Sequence, residues 1–368
     1  MQFSLSKFGF LFILISFTVC VEPYEFKIEN NEPWLVVEAQ ISDQSFNEYG
    51  SVPTDGRFFE VSLRWTSEVK NVRDQIIEGA RVTLENDSNN KWNYSEISPG
   101  KYLLLDPEFK ALKSVKYRLQ IGLPNGENYQ SSWEEMPNIN PEKTGAISIR
   151  EIAKPVYKYV AGEKQIIDEV GINLEMDLPK NDHEFPTYYK WEFTPIWIYT
   201  APFASSTQAG YKCWVTNDLY LNQYQLLKDN IGGFKQELTF IETIRNNRMY
   251  EEMSVLISQY AMSEEFFNFW SEMKSQMQNG GLFDAPPFNY KTNFECVNRN
   301  SKVSGYFGVV SERATRWYFD PKKLSYQIVN YNLGDCTVPF QDPGPECSDC
   351  RAYPKGAASN KKPLWWNQ

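Results

Sequence analysis

Apolar and polar residues alternate in short runs from Trp34 to Trp133, and turn signals close each run. The segments WLVVEAQI, FFEVSLRWT, ARVTLEND, KWNYSEI, GKYLLLD, VKYRLQIGLPNG and NYQSSW carry the period-two pattern of half-buried strands. Val82 and Leu84 fall on one face of their run, and Tyr117, Leu119 and Ile121 on one face of theirs, while Gly79, Gly100, Gly122 and Gly126 mark the turns. Seven such strands in about 100 residues predict an immunoglobulin-like β-sandwich over residues 20–135. MPNINPEKTG then interrupts the pattern with two prolines and a glycine and reads as a linker.

Beyond it a larger β-rich domain, residues 143–335, is expected. AISIREI, VGINLEMDL, YYKWEFTPIWIYT, YKCWVTND and YEEMSVLISQYAM read as strands, and KVSGYFGVVSERATRWYF as a closing hairpin; Tyr220–Asn247 gives no clear period. One helix stands out, over residues 263–279. Ser263 is placed to cap it, Glu264 and Glu265 favour its positive end, and Gly280 or Gly281 can end it. Phe266, Phe269, Trp270, Met273 and Met277 form an apolar stripe at helical spacing, which predicts packing onto the second sheet. The fold class is therefore mainly β, with a cysteine-containing tail over residues 336–368.

The start of the chain has a different character. Lys7 precedes twelve uncharged, mostly apolar residues, Phe8–Val19, and then Cys20 opens the acidic CVEPYEF. A spanning helix needs about 20 apolar residues, so this run has the proportions of a signal peptide, residues 1–19. Cys20 sits where a bacterial lipoprotein is cut and acylated, although Phe17 and Val19 depart from the usual aliphatic and small residues of that box. Ordinary secretion, with cleavage near Ser16 or Thr18, is the alternative.

Charge and composition narrow the chemistry. A net charge of −10 argues against a nucleic-acid partner. The single histidine, His183, lies in the polar KNDHEFP and leaves little for a histidine-based triad or metal site. No G-x-S-x-G, P-loop, H-E-x-x-H or EF-hand spacing occurs, and a glycosidase carboxylate pair is defined only by separation in space. The expectation is a non-enzymatic protein without metal or cofactor. Five cysteines after Cys20 fit an oxidising compartment, and CSDC, lacking a second C-x-x-C, reads as a structural staple of the tail formed with Cys336.

The candidate contact surface is YYKWEFTPIWIY. On a strand, Tyr189, Trp191 and Phe193 share one face, expected to be core, while Tyr188, Lys190 and Glu192 share the other, where Tyr188 and Lys190 become candidate ligand contacts. Trp365 and Trp366, in the terminal PLWW, are candidate partner anchors, with docking onto their own domain as the equal alternative. Function is expected in the second domain and tail, which hold the longer irregular segments Pro202–Asn217 and Leu282–Val303.

Taken in order, CVEPYEF, WLVVEAQI, EGARVTLEND, SPGKYLL, YYKWEF, KCW, ISQYAMSEEFFNFWSEMKSQ, GGLFDAPP, SGYFGVVS, CSDCR and KKPLWW resemble the Bacteroidota domain-of-unknown-function lipoprotein family four-two-four-nine, from Cys20 to the C-terminus. The resemblance implies an outer-membrane lipoprotein, lipidated at Cys20, with an N-terminal immunoglobulin-like or carboxypeptidase-regulatory-like sandwich. It also implies genes beside SusC-like TonB-dependent transporters, and Cys213, Cys296, Cys347 and Cys350 match recurring cysteines of the family. The pairings expected are Cys213 with Cys296, and Cys336 with Cys347 or Cys350. The leading expectation is a surface-exposed, lipid-anchored accessory of such a transporter, with a peptide or glycan ligand; Glu22 and Glu25 provide the acidic residues that accompany export to the outer leaflet. The alternative is an assembly, secretion or adhesion lipoprotein that binds other envelope proteins.

Overall fold

The computed structural model describes residues 33–49, 52, 54–66, 75–138, 145–181, 184–279 and 291–366. Cys20, the signal peptide, His183 and the centre of the expected linker lie outside them. The described chain is mainly β, as its patterning predicts.

The main sheet has eleven strands and runs across the whole molecule. Its path is Ala357–Ser359, Lys212–Thr216, Thr187–Thr200, Met253–Met262, Val303–Tyr318, Leu35–Ser42, Phe59–Trp65, Lys101–Leu104 and Ser95–Ser98; Gln225–Asp229 and Gln75–Ile76 attach at its sides. Leu35–Ser42 and Val303–Tyr318 pair in parallel, from Leu35 opposite Val303 to Ser42 opposite Val310. The remaining pairings in this sheet are antiparallel.

Two further sheets cover one face of it. Leu35, Val37, Ile41, Val61, Leu63 and Phe307 meet Val82, Leu84, Leu119, Ile121 and Tyr129 of a six-stranded sheet, giving the sandwich core. Trp191, Trp197, Val255 and Ile257 meet Ile172, Leu174, Met176 and Ile241 of a three-stranded sheet built from Ile147–Val160, Glu163–Asp177 and Lys235–Glu242. The opposite face carries the long helix, Glu264–Asn279, and the terminal Trp365 and Trp366. Central strands buried on both faces lose the apolar/polar alternation: Met253–Met262 is buried at every position, Gln259 included.

Three expectations change. KVSGYFGVVSERATRWYF forms one sixteen-residue strand, Val303–Tyr318, rather than a hairpin. Its polar centre is held extended by Asp43, which accepts from the Ser311 hydroxyl (2.9 Å) and the Glu312 N–H (2.7 Å) and pairs with Arg313 (3.0 Å). The division at residues 136–142 does not separate the sheets either, because Phe294–Cys296 joins the six-stranded sheet and Val303–Val310 pairs with Leu35–Ser42. KWNYSEI splits into Lys91–Asn93 and Ser95–Ser98, which belong to different sheets. The unassigned Tyr220–Asn247 contains two strands, Gln225–Asp229 and Lys235–Glu242.

Among the described residues the cysteines pair as Cys213–Cys350 and Cys336–Cys347, which leaves Cys296 free. The expected Cys213–Cys296 link is thus corrected. Cys296 is drawn into the sandwich by pairing opposite Tyr129, whereas Cys213 lies on the strand whose free edge the tail covers.

Candidate functional site

The face of the main sheet turned toward the long helix carries an aligned set of polar side chains. Cross-strand register sets Lys190 beside Tyr260 and Tyr260 beside Glu312, with Glu192 beside Ser258 in the next row. Between the helix and the strands Leu35–Ser42 and Phe59–Trp65 lies a cleft of about 410 Å³. Glu38, Gln40, Arg57, Phe58, Glu60 and Ser62 line one side, Lys190, Glu192 and Tyr260 the floor, and Phe269, Trp270, Met273 and Tyr306 the helix side.

The helix is where it is for local reasons. The Ser263 hydroxyl accepts from the Phe266 N–H (3.2 Å), capping the first turn as its position predicts. Phe266 and Phe269 are buried against Tyr306, with ring centroids 5.1 and 5.6 Å away. Gly308 gives the helix room: a Cβ there would stand 2.2 Å from the Phe266 ring.

Lys190 is 1% exposed. Its ammonium lies 2.6 Å from a Glu192 carboxylate oxygen and 3.2 Å from the centroid of the Trp270 ring, with the Tyr224 and Tyr260 rings at 5.2 and 5.9 Å. A cation removed from water is thus compensated by one carboxylate and by π faces. The Tyr260 hydroxyl donates to the other Glu192 oxygen (3.1 Å). Next along the face, Arg57 pairs with the fully buried Glu312, which also accepts from the Ser42 hydroxyl at 2.7 Å. The Arg57 guanidinium stands 5.0 Å from the Tyr49 ring, whose hydroxyl reaches the Ser258 hydroxyl at 2.9 Å.

These surroundings set the charges. Burial lowers the Lys190 ammonium, with Glu192 opposing. Burial would raise the Glu192 carboxyl, but Lys190, the Tyr260 hydroxyl and Arg57 outweigh it and hold the group below its ordinary range. Burial and the nearby Glu192 push the Tyr260 phenol well up. Burial works against the Arg57 charge, yet Tyr260, Tyr49 and Glu192 keep its pKa raised. Glu192, Tyr260 and Arg57 thus hold their usual charge states more firmly than in water, which suits fixed recognition better than proton exchange near neutral pH.

The residues singled out from sequence fall in different places. Tyr189, Trp191 and Phe193 face the core, and Lys190 and Glu192 reach the cleft. Tyr188 is buried beneath the helix, its ring 5.1 Å from Phe267, and is not a surface contact. Trp365 and Trp366 are also buried, against Ile196, Ile198 and Trp214. Their indole N–H groups donate to Asp55 (2.9 Å) and Glu252 (3.1 Å), so of the two alternatives for the tail it is docking onto its own chain that holds. The cleft also takes much of its lining from residues 37–62, not from the second half alone. Arg57 and Glu312 carry no local sequence signal. Trp270 was visible in the helical stripe, but only as packing.

A second cleft, of about 570 Å³, has Trp34, Trp65 and Lys302 among its lining. Its carboxylate, Glu127, is already engaged by Asn125 (2.9 Å), Tyr129 (3.1 Å) and Ser301. Among the described residues no group of three or more His, Cys, Asp or Glu could hold a metal ion, and no helix is long and apolar enough to cross a membrane.

No curated protein matches the chain. A family model does, over residues 21–316, and that span includes every residue lining the cleft around Lys190. The chain therefore belongs to the family described as domain of unknown function DUF4249.

Proposed function

We propose that the protein is a lipid-anchored, surface-exposed accessory of the bacterial outer membrane that captures a small ligand for a TonB-dependent transporter. The observation that carries the capturing role is the cleft beneath the long helix, where fixed charges and aromatic walls converge on about 410 Å³. The anchoring role is supported by the Phe8–Val19 run ahead of Cys20 and by a family match that begins at residue 21. The transporter partnership rests on the family resemblance. Metabolic labelling with an acyl probe, followed by membrane fractionation, tests the anchor: wild type carries label in the outer membrane, and Cys20→Ser is unlabelled and soluble. An unlabelled wild type, with the variant still in the membrane, sinks it.

A separate feature favours the second reading, an assembly, secretion or adhesion lipoprotein. Lys235–Glu242 pairs with Gly171–Asp177, so among the described residues the distal half of the hairpin of Ile147–Val160 and Glu163–Asp177 has no third strand. There Tyr157, Tyr159 and Ile166 are 69%, 78% and 63% exposed, and register places all three on one face. A bare two-stranded ribbon with such a face suits a protein contact. Affinity purification from the native membrane separates the readings: a stoichiometric SusC-like barrel supports the first, and secretion or barrel-insertion machinery the second.

A further inference from the structure

We infer that the cleft takes a short neutral saccharide; this deepens the capturing role proposed above and rests on it. The lining presents hydrogen-bonding groups of both kinds. Arg57 Nε and Trp270 Nε1 are buried donors without a partner. The acceptors are the Glu38, Glu60 and Glu192 carboxylates, each paired with a cation, Arg64, Lys101 and Lys190 in turn, but with side chains 51%, 41% and 45% exposed, so that water still reaches them. Gln40 and Ser62 add groups that both donate and accept. Between them the walls are flat rings, Phe58, Trp270 and Tyr306.

Each ligand class meets this set differently. A carboxylate or phosphate would satisfy the two donors but would face three half-exposed carboxylates. A simple amine would compete with Arg64, Lys101 and Lys190 for the carboxylates, leave both donors unmet, and bring a cation beside Lys190 and Arg57. An extended peptide binds through a free strand edge, and Leu35–Ser42, Phe59–Trp65 and Met253–Met262 beneath the cleft already have a neighbour on each side. A saccharide hydroxyl donates and accepts at once, and the C–H face of a sugar ring packs on an aromatic plane. The volume lies near the low end of the ~300–1,000 Å³ of small-molecule sites, which sets the length as short.

The test uses the full-length protein with calorimetry and tryptophan emission. The probes are a panel of neutral mono- and disaccharides, a panel of tripeptides, hexose phosphates and alkylamines. The expected result is heat and an emission change with at least one neutral saccharide. Trp270→Phe keeps a ring beside Lys190 and removes the unpartnered N–H, so it should weaken binding about fivefold. Glu60→Gln, at the rim, should weaken it about tenfold. Saccharide binding indifferent to both variants overturns the assignment. Silence toward saccharides, with Trp270-dependent binding of a peptide, amine or phosphate, overturns the ligand class and leaves the capturing role standing. Silence toward every probe removes both.

Discussion

Lys190 occupies a position that strand alternation places opposite the core, yet its ammonium is among the most deeply buried polar groups of the chain. The carboxylate that compensates it is nearly half exposed. The two partners should therefore respond unequally to removal. Glu192→Ala leaves a buried cation with rings alone and should cost about 3 kcal/mol. Lys190→Met leaves a carboxylate that water can reach and should cost under about 1 kcal/mol. Urea denaturation of both variants checks the order, and equal losses would contradict it. The titrations add a pH signature. Lys190 is lowered in the folded state, so between that value and about 10.4 the unfolded chain holds a proton that the folded one lacks, and stability rises with pH there. Glu192 is also lowered, so its contribution is present above about 4.3 and is lost as pH falls through its folded value. Lys190→Met should flatten the alkaline rise, and Glu192→Ala the acidic fall.

At the scale of elements, two glycines decide how closely the long strand Val303–Tyr318 approaches its neighbours. Gly305 has φ +105° and stands opposite Val37, whose carbonyl oxygen would lie 1.8 Å from a Cβ; the parallel ladder needs this position bare. Gly308 sets the seat of the helix. Gly308→Ala forces a methyl into the buried Phe266 ring, so the helix must lift, at about 1–3 kcal/mol. The Trp270 face would then move away from Lys190. Denaturation together with Trp270-dependent emission checks this, and a variant of wild-type stability and emission would show that Phe266 moves freely. The helix itself was legible in the sequence, because Ser263, its acidic first turn and its apolar stripe are local signals. Its partners were not, since Tyr306 and Gly308 lie some forty residues on and nothing near the helix encodes them.

For the whole molecule, the tail is a structural clasp. Ala357–Ser359 covers the edge of Lys212–Thr216, Cys213–Cys350 ties the tail to the sheet, and Trp365 and Trp366 close over Ile196 and Ile198. The Arg316 guanidinium, 3.8 Å from the Trp365 ring, adds a cation–π contact. Trp366→Ala should cost about 3–5 kcal/mol, as large aromatic truncations in cores do. Opening the Cys213–Cys350 link, which spans 137 residues, should cost up to about 5 kcal/mol by freeing the unfolded chain. Differential scanning calorimetry of Trp366→Ala and of Cys213→Ser/Cys350→Ser measures both. Unchanged melting would return the tail to the role of a free contact surface. Non-reducing peptide mapping should recover Cys213–Cys350 and Cys336–Cys347 with Cys296 free.

The sequence by itself determined most strands of the sandwich, the helix and the inward face of YYKWEFTPIWIY, because side-chain period and capping act over a few residues. It also marked Lys190 and Glu192 as sharing a face. Only the tertiary structure decided that this face is covered, that residues 303–310 complete the sandwich in parallel, that Cys213 meets Cys350, and that Arg57 and Glu312 join the cleft. Each of these depends on which distant segments lie together, set by the burial of whole faces and by loop closure over more than a hundred residues. A polar residue on a strand reads the same in sequence whether water or another element covers it. The helix settles that question for Lys190 through Trp270, and Arg57 and Ser42 settle it for Glu312.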